Sequence, residues 1–374
     1  MGISSAVIAL PGRYAHGRGI RRHAAWGSLI VAFAVLLHGS TVSDAGAEPS
    51  RTTIGQQGYN ARTRQDARSN PYASTASARR SLLQSVNSWR YQLRRIDMNE
   101  IAALDEDLVV IDYAPDRVYG VELPFSQADV ARMRTRTDGG RKLLLAYLSI
   151  GEAERYRTYW NNAWYDAATR PHWLLDANPQ WDGNFPVRFW DPQWQAIVFG
   201  SHEAYLDRIL AAGFDGVYLD RADVFQELEQ ERSDSAGEMA SFIVRLARHA
   251  RAQKPDALIV MQNAEELVRR RDVRNAIDGL AKEDLLFGVN HDGLANPPEM
   301  VRESLADLAV ARRSGLKVLV VEYLSEAAPA ERARRRIREL GYLPLIAERS
   351  LGTHNFQPQS QVPAATSGAA TGTR

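Results

Sequence analysis

Carboxylate and amide side chains lie at or just beyond the ends of six consecutive apolar runs in this 374-residue chain. They are Asp112, Glu152, Glu154, Asp220, Asp223, Asn263, Glu265, Glu266, Glu283, Asp284 and Glu322. Cleavage of a glycosidic bond uses residues of this type, because a protonated acid serves the leaving oxygen and a carboxylate acts as nucleophile or base. Burial and neighbouring negative charge raise the pKa of one acid in such a pair. A single acid at such a position could instead stabilise the N-terminus of the helix that follows it. The repetition of acids at six strand ends favours a shared site.

The composition disfavours several other chemistries. The chain has no cysteine, which excludes disulfides, thiol catalysis and cysteine-ligated metal centres. It also lacks an HExxH motif and a histidine pair at a strand end, so we expect neither a metal nor a cofactor. His291 comes nearest to the histidine that a lyase or a deacetylase would need, and a lone loop histidine is weak support for either. The turns after the last two runs are not glycine-rich, which disfavours a phosphate-binding barrel.

Six of the eight tryptophans occupy one stretch after the third apolar run. They are Trp160, Trp164, Trp173, Trp181, Trp190 and Trp194. Flat aromatic faces stack on the apolar faces of sugar rings, so this stretch is a candidate glycan platform. A long loop also needs a small core of its own. We therefore expect about four of these side chains to pack inside the loop, and we take Trp190 as the candidate sugar-binding residue.

The apolar runs themselves predict the elements that would bring the acids together. Eight strands are expected: Trp89 to Leu93, Leu108 to Tyr113, Lys142 to Ile150, Gly216 to Asp220, Leu258 to Asn263, Gly279 to Glu283, Val318 to Tyr323 and Tyr342 to Ala347. Helical stretches separate most of them: Ser126 to Arg136, His202 to Ala212, Glu238 to Gln253, Pro298 to Ser314 and Ala330 to Leu340. This alternation predicts an α/β fold, a (β/α)8 TIM barrel with a tryptophan-rich insertion after strand 3. An open doubly wound sheet is the alternative, but the count of eight strand-like runs favours a closed barrel, in which the strand ends converge on one face.

The two ends of the chain differ from its middle. Residues 1–47 have a basic region ending at Arg21-Arg22, an apolar run of 14 residues from Ala24 to Leu37, and small residues through Ala47, which is typical of a secretory signal peptide. We expect a disordered linker over 48–80, the glycoside hydrolase domain over 81–352 and a disordered tail over 353–374. The protein is thus expected to be secreted or periplasmic, without a stable membrane span after signal cleavage; an uncleaved anchor is the alternative.

The charge distribution bears on possible partners. The formal net charge is +1, but nine arginines crowd two stretches of the first 80 residues, which leaves the remainder mildly acidic. A mildly acidic domain is a poor match for nucleic acid, so we expect no nucleic-acid partner. The other expectations about partners are a polysaccharide substrate and a monomer.

Several longer motifs resemble one known family. They are Trp89-x-Tyr91-Gln92-Leu93, the stretch from Tyr147 through Glu152 and Glu154 to Trp160, Gly213 to Asp220, Asn178-Pro179-x-Trp181-x-Gly183-Asn184, and Gln262-Asn263-x-Glu265-Glu266. Together they resemble glycoside hydrolase family 114, the endo-α-1,4-polygalactosaminidases and their relatives, from about Ser88 to Leu351.

The resemblance implies a (β/α)8 barrel, hydrolysis of α-1,4-linked galactosamine-rich exopolysaccharide, and two catalytic acids. One matches Asp220; the later one is placed at Glu283, with Asp284 adjacent. Arg221 departs from the apolar residue that many relatives carry.

These observations lead to one mechanistic hypothesis. Asp220 is expected to act as nucleophile and Glu283 as general acid and base, with net retention. The residues expected to bind sugar hydroxyl or amino groups are Asp112, Glu152, Asn263 and Glu322. Tyr147 and Tyr218 would shape the cleft. A non-catalytic glycan-binding barrel that handles exopolysaccharide is the rival reading from another class of protein.

Overall fold

The computed structural model describes residues 71–115 and 122–352. The expected signal peptide, the expected linker up to residue 70 and the expected tail lie outside the described residues.

One sheet of eight parallel strands forms the centre of the described part of the chain. The strands are β1 Trp89–Gln92, β2 Leu108–Ile111, β3 Leu143–Ser149, β6 Gly216–Asp220, β7 Leu258–Gln262, β8 Gly279–Glu283, β9 Lys317–Tyr323 and β10 Leu343–Ala347, and they adjoin in that order. β1 and β10 lie beside each other. The backbone N–H groups of Leu93 and Arg94 donate to the carbonyl of Leu351 at 2.8 and 3.1 Å, which ties the two edges together. The predicted (β/α)8 TIM barrel is confirmed.

Helices alternate with these strands. They are α1 Pro71–Gln84, α2 Met98–Ala103, α3 Gln127–Arg134, α4 Pro192–Val198, α5 Tyr205–Ala211, α6 Ser235–Gln253, α7 Arg271–Ala276, α8 Pro298–Arg313 and α9 Ala327–Glu339. Local chemistry explains their ends. The Ser126 hydroxyl accepts from the backbone N–H of Asp129, and the Asp129 carboxylate accepts from that of Ser126, a reciprocal cap that begins α3. Gly213, at φ +95°, follows α5 in the left-handed conformation that glycine adopts most easily.

The helix α1 corrects the expected boundary of the linker. Residues 71–80 belong to this helix and not to a disordered segment. Arg79 donates to Asp278 at 3.2 Å and to the carbonyl of Pro255 at 2.9 Å, and Leu83 is completely buried. The arginines looked like solvated charge in the sequence because their buried acidic and carbonyl partners lie about 180 to 230 residues away.

Alternation along the strands divides the core into two layers. Tyr218, Val260 and Ala281 lie in the cluster inside the barrel, whereas Val217 and Leu219 lie in the larger cluster between the sheet and the helices. Because successive strand residues point to opposite faces, Asp220 and Glu283 have the parity of the barrel interior. Both side chains therefore point toward the interior of the barrel.

The insertion after β3 begins with a small antiparallel pair, β4 Glu152–Glu154 and β5 Asn184–Pro186. An aromatic cluster fills it, with ring centroids 5.2 Å apart for Trp160 and Trp164, 5.1 Å for Trp164 and Trp173, and 5.2 Å for Trp173 and Trp194. The Trp194 indole N–H also donates to the carbonyl of Ile150 at 2.9 Å. These four tryptophans are the packing core that a long insertion needs. Within the described residues, no helix has the length and apolar character to cross a membrane.

Candidate active site

Asp220 and Glu283 meet at the mouth of the barrel through a shared amide. The side-chain nitrogen of Gln262, the last residue of β7, donates to Asp220 Oδ1 at 2.6 Å and to Glu283 Oε2 at 2.9 Å. These two oxygens therefore cannot be more than about 5.5 Å apart. β7 lies between β6 and β8 in the sheet, so the last residues of three adjacent strands form the group. Both residues are half-buried.

Further donors hold each carboxylate in place. The hydroxyl of Tyr147 donates to Asp220 Oδ2 at 2.7 Å. The hydroxyl of Tyr323 donates to Glu283 Oε1, and the amide of Asn263 donates to Glu283 Oε2 at 3.3 Å. The Asn263 side-chain oxygen in turn accepts from the backbone N–H of Glu283 at 3.2 Å. Each acid is thus oriented by donors from neighbouring strands before any substrate arrives.

The two acids have different electrostatic surroundings. Burial and the nearby charge of Asp220 raise the pKa of Glu283 to about 7, although the Tyr323 hydroxyl opposes this rise. Burial also raises the pKa of Asp220, and the hydrogen bond from Tyr147 opposes it. A carboxylic acid with a pKa near neutrality can give and take a proton at physiological pH, which is the requirement for a general acid and base. Glu283 meets this requirement.

Tyrosines form the floor beneath the pair. Tyr218 is completely buried, and its ring lies 5.0 Å from that of Tyr91. Burial raises the pKa of both hydroxyl groups well above the usual value, so both remain neutral. Tyr147 borders the site directly, whereas Tyr218 shapes it from below.

Asp112 lies in an ionic network centred on the buried Arg157, beside Tyr147. Arg157 donates to Asp112 at 2.7 Å, to Glu122 at 3.0 Å and to Glu154 at 2.6 Å. The guanidinium carbon of Arg157 is 5.9 Å from the centre of the Tyr147 ring. Asp112 therefore supports the surroundings of Tyr147 and has its own cation, which leaves it a weaker candidate for a direct sugar contact.

Three of the expected sugar-binding residues make other contacts in the structure. Glu152 is 1% exposed, and it accepts from Asn178 at 2.7 Å and Asn184 at 3.0 Å, so it braces the insertion. Glu322 is 0% exposed and accepts from the backbone N–H groups of Leu286 and Phe287 at 2.8 and 3.2 Å. It lies one residue out of step with Val321 and Tyr323, which face the barrel interior, and this parity was readable from the sequence.

Trp190 is the third of these residues. Its ring is partly buried against the core of the insertion, 5.0 Å from the ring of Phe189 and 5.7 Å from the Arg232 guanidinium. An indole with these two neighbours offers less free surface to a sugar than an exposed one.

Asp284, the neighbour of Glu283, lies in a different environment. Arg349 holds it in a two-point contact at 3.1 and 3.0 Å, and its backbone adopts φ +51°. The left-handed conformation turns the chain between the two adjacent acids. Glu283 alone shares a donor with Asp220.

Sequence reasoning missed Gln262 and Tyr323 as members of the site. Both end a strand with the same inward parity as Tyr218, and this signal could have found them. Among the described residues, no group of three or more histidines, aspartates or glutamates is arranged to hold a metal ion.

Comparisons with known proteins identify the family and the fold of the chain. The model of glycoside-hydrolase family GH114 matches residues 69–363. An uncharacterized protein of Deinococcus radiodurans is 36% identical over 283 residues, which cover 74% of this chain and 85% of that protein. One from Methanocaldococcus jannaschii is 34% identical, with 70% and 75% covered. The solved glycoside hydrolase domain of PelA from Pseudomonas aeruginosa has the same fold, with a TM-score of 0.55, 20% identity, and 72% of this chain and 98% of that domain covered. The chain therefore belongs to glycoside-hydrolase family GH114 and is a glycoside hydrolase built on a (β/α)8 barrel.

Proposed function

We propose that this protein is exported and hydrolyses an amino-sugar polysaccharide, an α-1,4-linked galactosamine-rich exopolysaccharide, with retention of anomeric configuration. The observation that carries the proposal is the single amide of Gln262 that bridges Asp220 and Glu283 at 2.6 and 2.9 Å. Retaining glycosidases hold their two carboxyl groups about 5–5.5 Å apart, whereas inverting enzymes leave about 6.5–9.5 Å for a water molecule. The separation of at most about 5.5 Å between the bridged oxygens supports retention.

The different surroundings of the two acids assign their roles. In the first step a carboxylate oxygen of Asp220 attacks the anomeric carbon, the bond to the leaving oxygen breaks, and Glu283 gives its proton to that oxygen. In the second step Glu283 takes a proton from water, the water oxygen attacks the anomeric carbon, and the bond to Asp220 breaks. Glu283 suits the proton-transfer role because its pKa is about 7. Asp220 suits attack because Tyr147 and Gln262 donate to its ionised form.

The charge of the cleft supports a cationic polymer. Besides the pair, Asp223 lies close enough to Asp220 to raise its pKa by Coulomb repulsion, and Glu266 accepts from Gln226 just beyond. Negative groups at the mouth would attract protonated amino sugars, and added salt would weaken this attraction. Export rests on the sequence of the first 47 residues.

The test is to incubate the protein with purified α-1,4-galactosamine-rich polymer, and with other amino-sugar polymers, and to size the products. Asp220→Asn and Glu283→Gln should each lower turnover by at least about 10³-fold at neutral pH, because each removes one of the two reacting groups. Asp256→Asn is the matched control, since this acid is 68% exposed and lies just before β7, at the end of that strand opposite to Gln262. Circular dichroism spectra and melting temperatures would show that all three variants are folded.

Two results would contradict the proposal. Turnover by Asp220→Asn within a few-fold of the parent would remove Asp220 from the mechanism. An inverted anomer in the first product, seen by proton NMR before mutarotation, would refute retention. Polymer binding without any cleavage by the parent protein would favour the non-catalytic glycan-binding barrel.

A further inference from the structure

Trp181 differs from the tryptophans that fill the insertion. It is 47% exposed, whereas Trp173 and Trp194 are almost completely buried and Trp160 and Trp164 pack against them. An indole in water is unfavourable, because each exposed apolar Å² costs roughly 25 cal/mol. A single exposed aromatic side chain is common on protein surfaces, so its exposure alone indicates nothing. What distinguishes Trp181 is the rigidity and the position of the turn that carries it.

The turn from Asn178 to Asn184 is braced by hydrogen bonds across it. The backbone N–H of Asn178 donates to the carbonyl of Asn184 at 2.8 Å, and that of Asn184 donates to the carbonyl of Trp181 at 3.1 Å. On the other side, the backbone N–H of Arg155 donates to the carbonyl of Gly183 at 2.8 Å, and its guanidinium donates to Asp182 at 2.6 Å. The indole is therefore presented by a backbone that has little conformational freedom to lose on binding.

A buried carboxylate connects this turn to the catalytic strand. Glu152 accepts from the amides of Asn178 and Asn184, which are the two ends of the turn, and it pairs with the guanidinium of Arg221 at 2.9 Å. Arg221 directly follows Asp220. Gly151, just before Glu152, lies so close to the carbonyl of Arg221 that a Cβ there would be only 2.1 Å away. The end of β3, the end of β6 and the turn of Trp181 thus form one rigid unit on the same rim of the barrel.

We propose that Trp181 is a separate sugar-binding subsite, on which a pyranose ring away from the bond to be cleaved stacks with its apolar face. This inference rests on the proposed function. Galactosamine rings present C–H groups on one face, and a flat indole on a preorganised turn of this rim offers the complementary surface. The subsite would bind a long chain at a second point while the cleaved bond lies between Asp220 and Glu283. It would therefore favour polymer over short substrates.

The experiment measures binding apart from catalysis. In the Asp220→Asn background, the affinity for soluble de-N-acetylated α-1,4-galactosamine polymer is measured by affinity electrophoresis, with and without Trp181→Ala. We expect about tenfold weaker binding for Trp181→Ala, and much of the affinity retained in Trp181→Phe, which keeps a flat ring. Leu82→Ala is the matched control, because it removes another exposed apolar side chain, 44% exposed, from α1. In the otherwise unchanged enzyme, Trp181→Ala should lower kcat/KM about tenfold on polymer and leave kcat/KM on a short aryl glycoside unchanged.

The outcomes separate the two proposals. Equal polymer binding with and without Trp181→Ala would overturn the subsite and leave the proposed function standing. An equal loss of activity on polymer and on the short glycoside would also overturn it, because this would show general damage to the site. Failure of the parent enzyme to bind or cleave the polymer would overturn the proposed function and, with it, the subsite.

Discussion

Removal of the Tyr323 hydroxyl should shift the pH dependence of the enzyme in a defined direction. This hydroxyl donates to Glu283 Oε1, and its ring lies under the guanidinium of Arg349, 4.3 Å from the ring centre. The hydrogen bond stabilises the ionised form of Glu283 and so holds its pKa, about 7, below the value that burial and Asp220 would give. Tyr323→Phe deletes this bond and little else.

The expected size of the effect follows from the value of one hydrogen bond to a charged group. Such bonds contribute about 1.5–3 kcal/mol, and one pKa unit corresponds to about 1.4 kcal/mol. Glu283 is partly exposed, so water replaces some of the lost interaction and the low end of this range applies. The pKa of Glu283 in Tyr323→Phe should therefore rise by roughly one unit.

The sign of the change in activity follows from the role of Glu283 as an acid. The protonated form is needed in the first step, so kcat/KM falls on the basic side as Glu283 loses its proton. In Tyr323→Phe, Glu283 should keep its proton to higher pH. The basic limb of the plot of kcat/KM against pH should therefore move to higher pH by about one unit. The profile would be recorded from reducing ends released from the polymer between about pH 4 and 9. Tyr342→Phe is the control, since Tyr342 is a buried tyrosine of the outer cluster.

A basic limb that stays in place in Tyr323→Phe, or moves downward, would refute the reasoning. The first result would mean that Glu283 is not the group whose ionisation limits the rate. The second would mean that the hydroxyl accepts from a protonated Glu283, so that its removal destabilises the acid form.

Two further predictions concern stability. Glu152→Ala removes the carboxylate that binds both ends of the Trp181 turn and pairs with Arg221. The free energy of unfolding, measured in urea, should therefore fall by about 3 kcal/mol. A loss below about 1 kcal/mol would contradict the bracing role. Burial raises the pKa of Glu322 to about 8, so the folded state retains a proton that the unfolded chain loses near pH 4.5. The free energy of unfolding should therefore decrease as the pH rises from about 4.5 to 8, and Glu322→Gln should flatten that slope; an unchanged slope would show that Glu322 does not cause it.

Much of the fold followed from local patterns. The eight apolar runs became the eight parallel strands, and the glycines after α5, α8 and α9 all adopt positive φ as their role in ending helices requires. These features depend on residues close together in the chain, so a sequence contains them directly. The helix α1 was missed for the opposite reason, since the contacts of Arg79 and Leu83 that stabilise it come from distant segments.

The chemistry was identified from the sequence, but its arrangement was not. Strand-end position pointed to acids on six strands. A family motif ends at Asp220, and the second acid that the resemblance implies was placed at Glu283, beside Asp284. The strand-end argument did not distinguish Glu283, which shares a donor with Asp220, from Glu152 and Glu322, which are buried braces. That difference depends on the face of the strand from which a side chain projects and on the residues that it contacts there.

The sequence by itself determined the elements, their order and the presence of several acids near one rim, because periodicity and caps are local properties. Only the tertiary structure decided that Gln262 bridges one particular pair, that Tyr323 and Tyr147 each hold one member, and that Trp181 rather than Trp190 is left open to solvent. The physical reason is that the register between parallel strands and the packing of the insertion bring together residues from distant parts of the chain. The distances between these residues, and therefore their pKa values and exposure, are established only when the barrel folds.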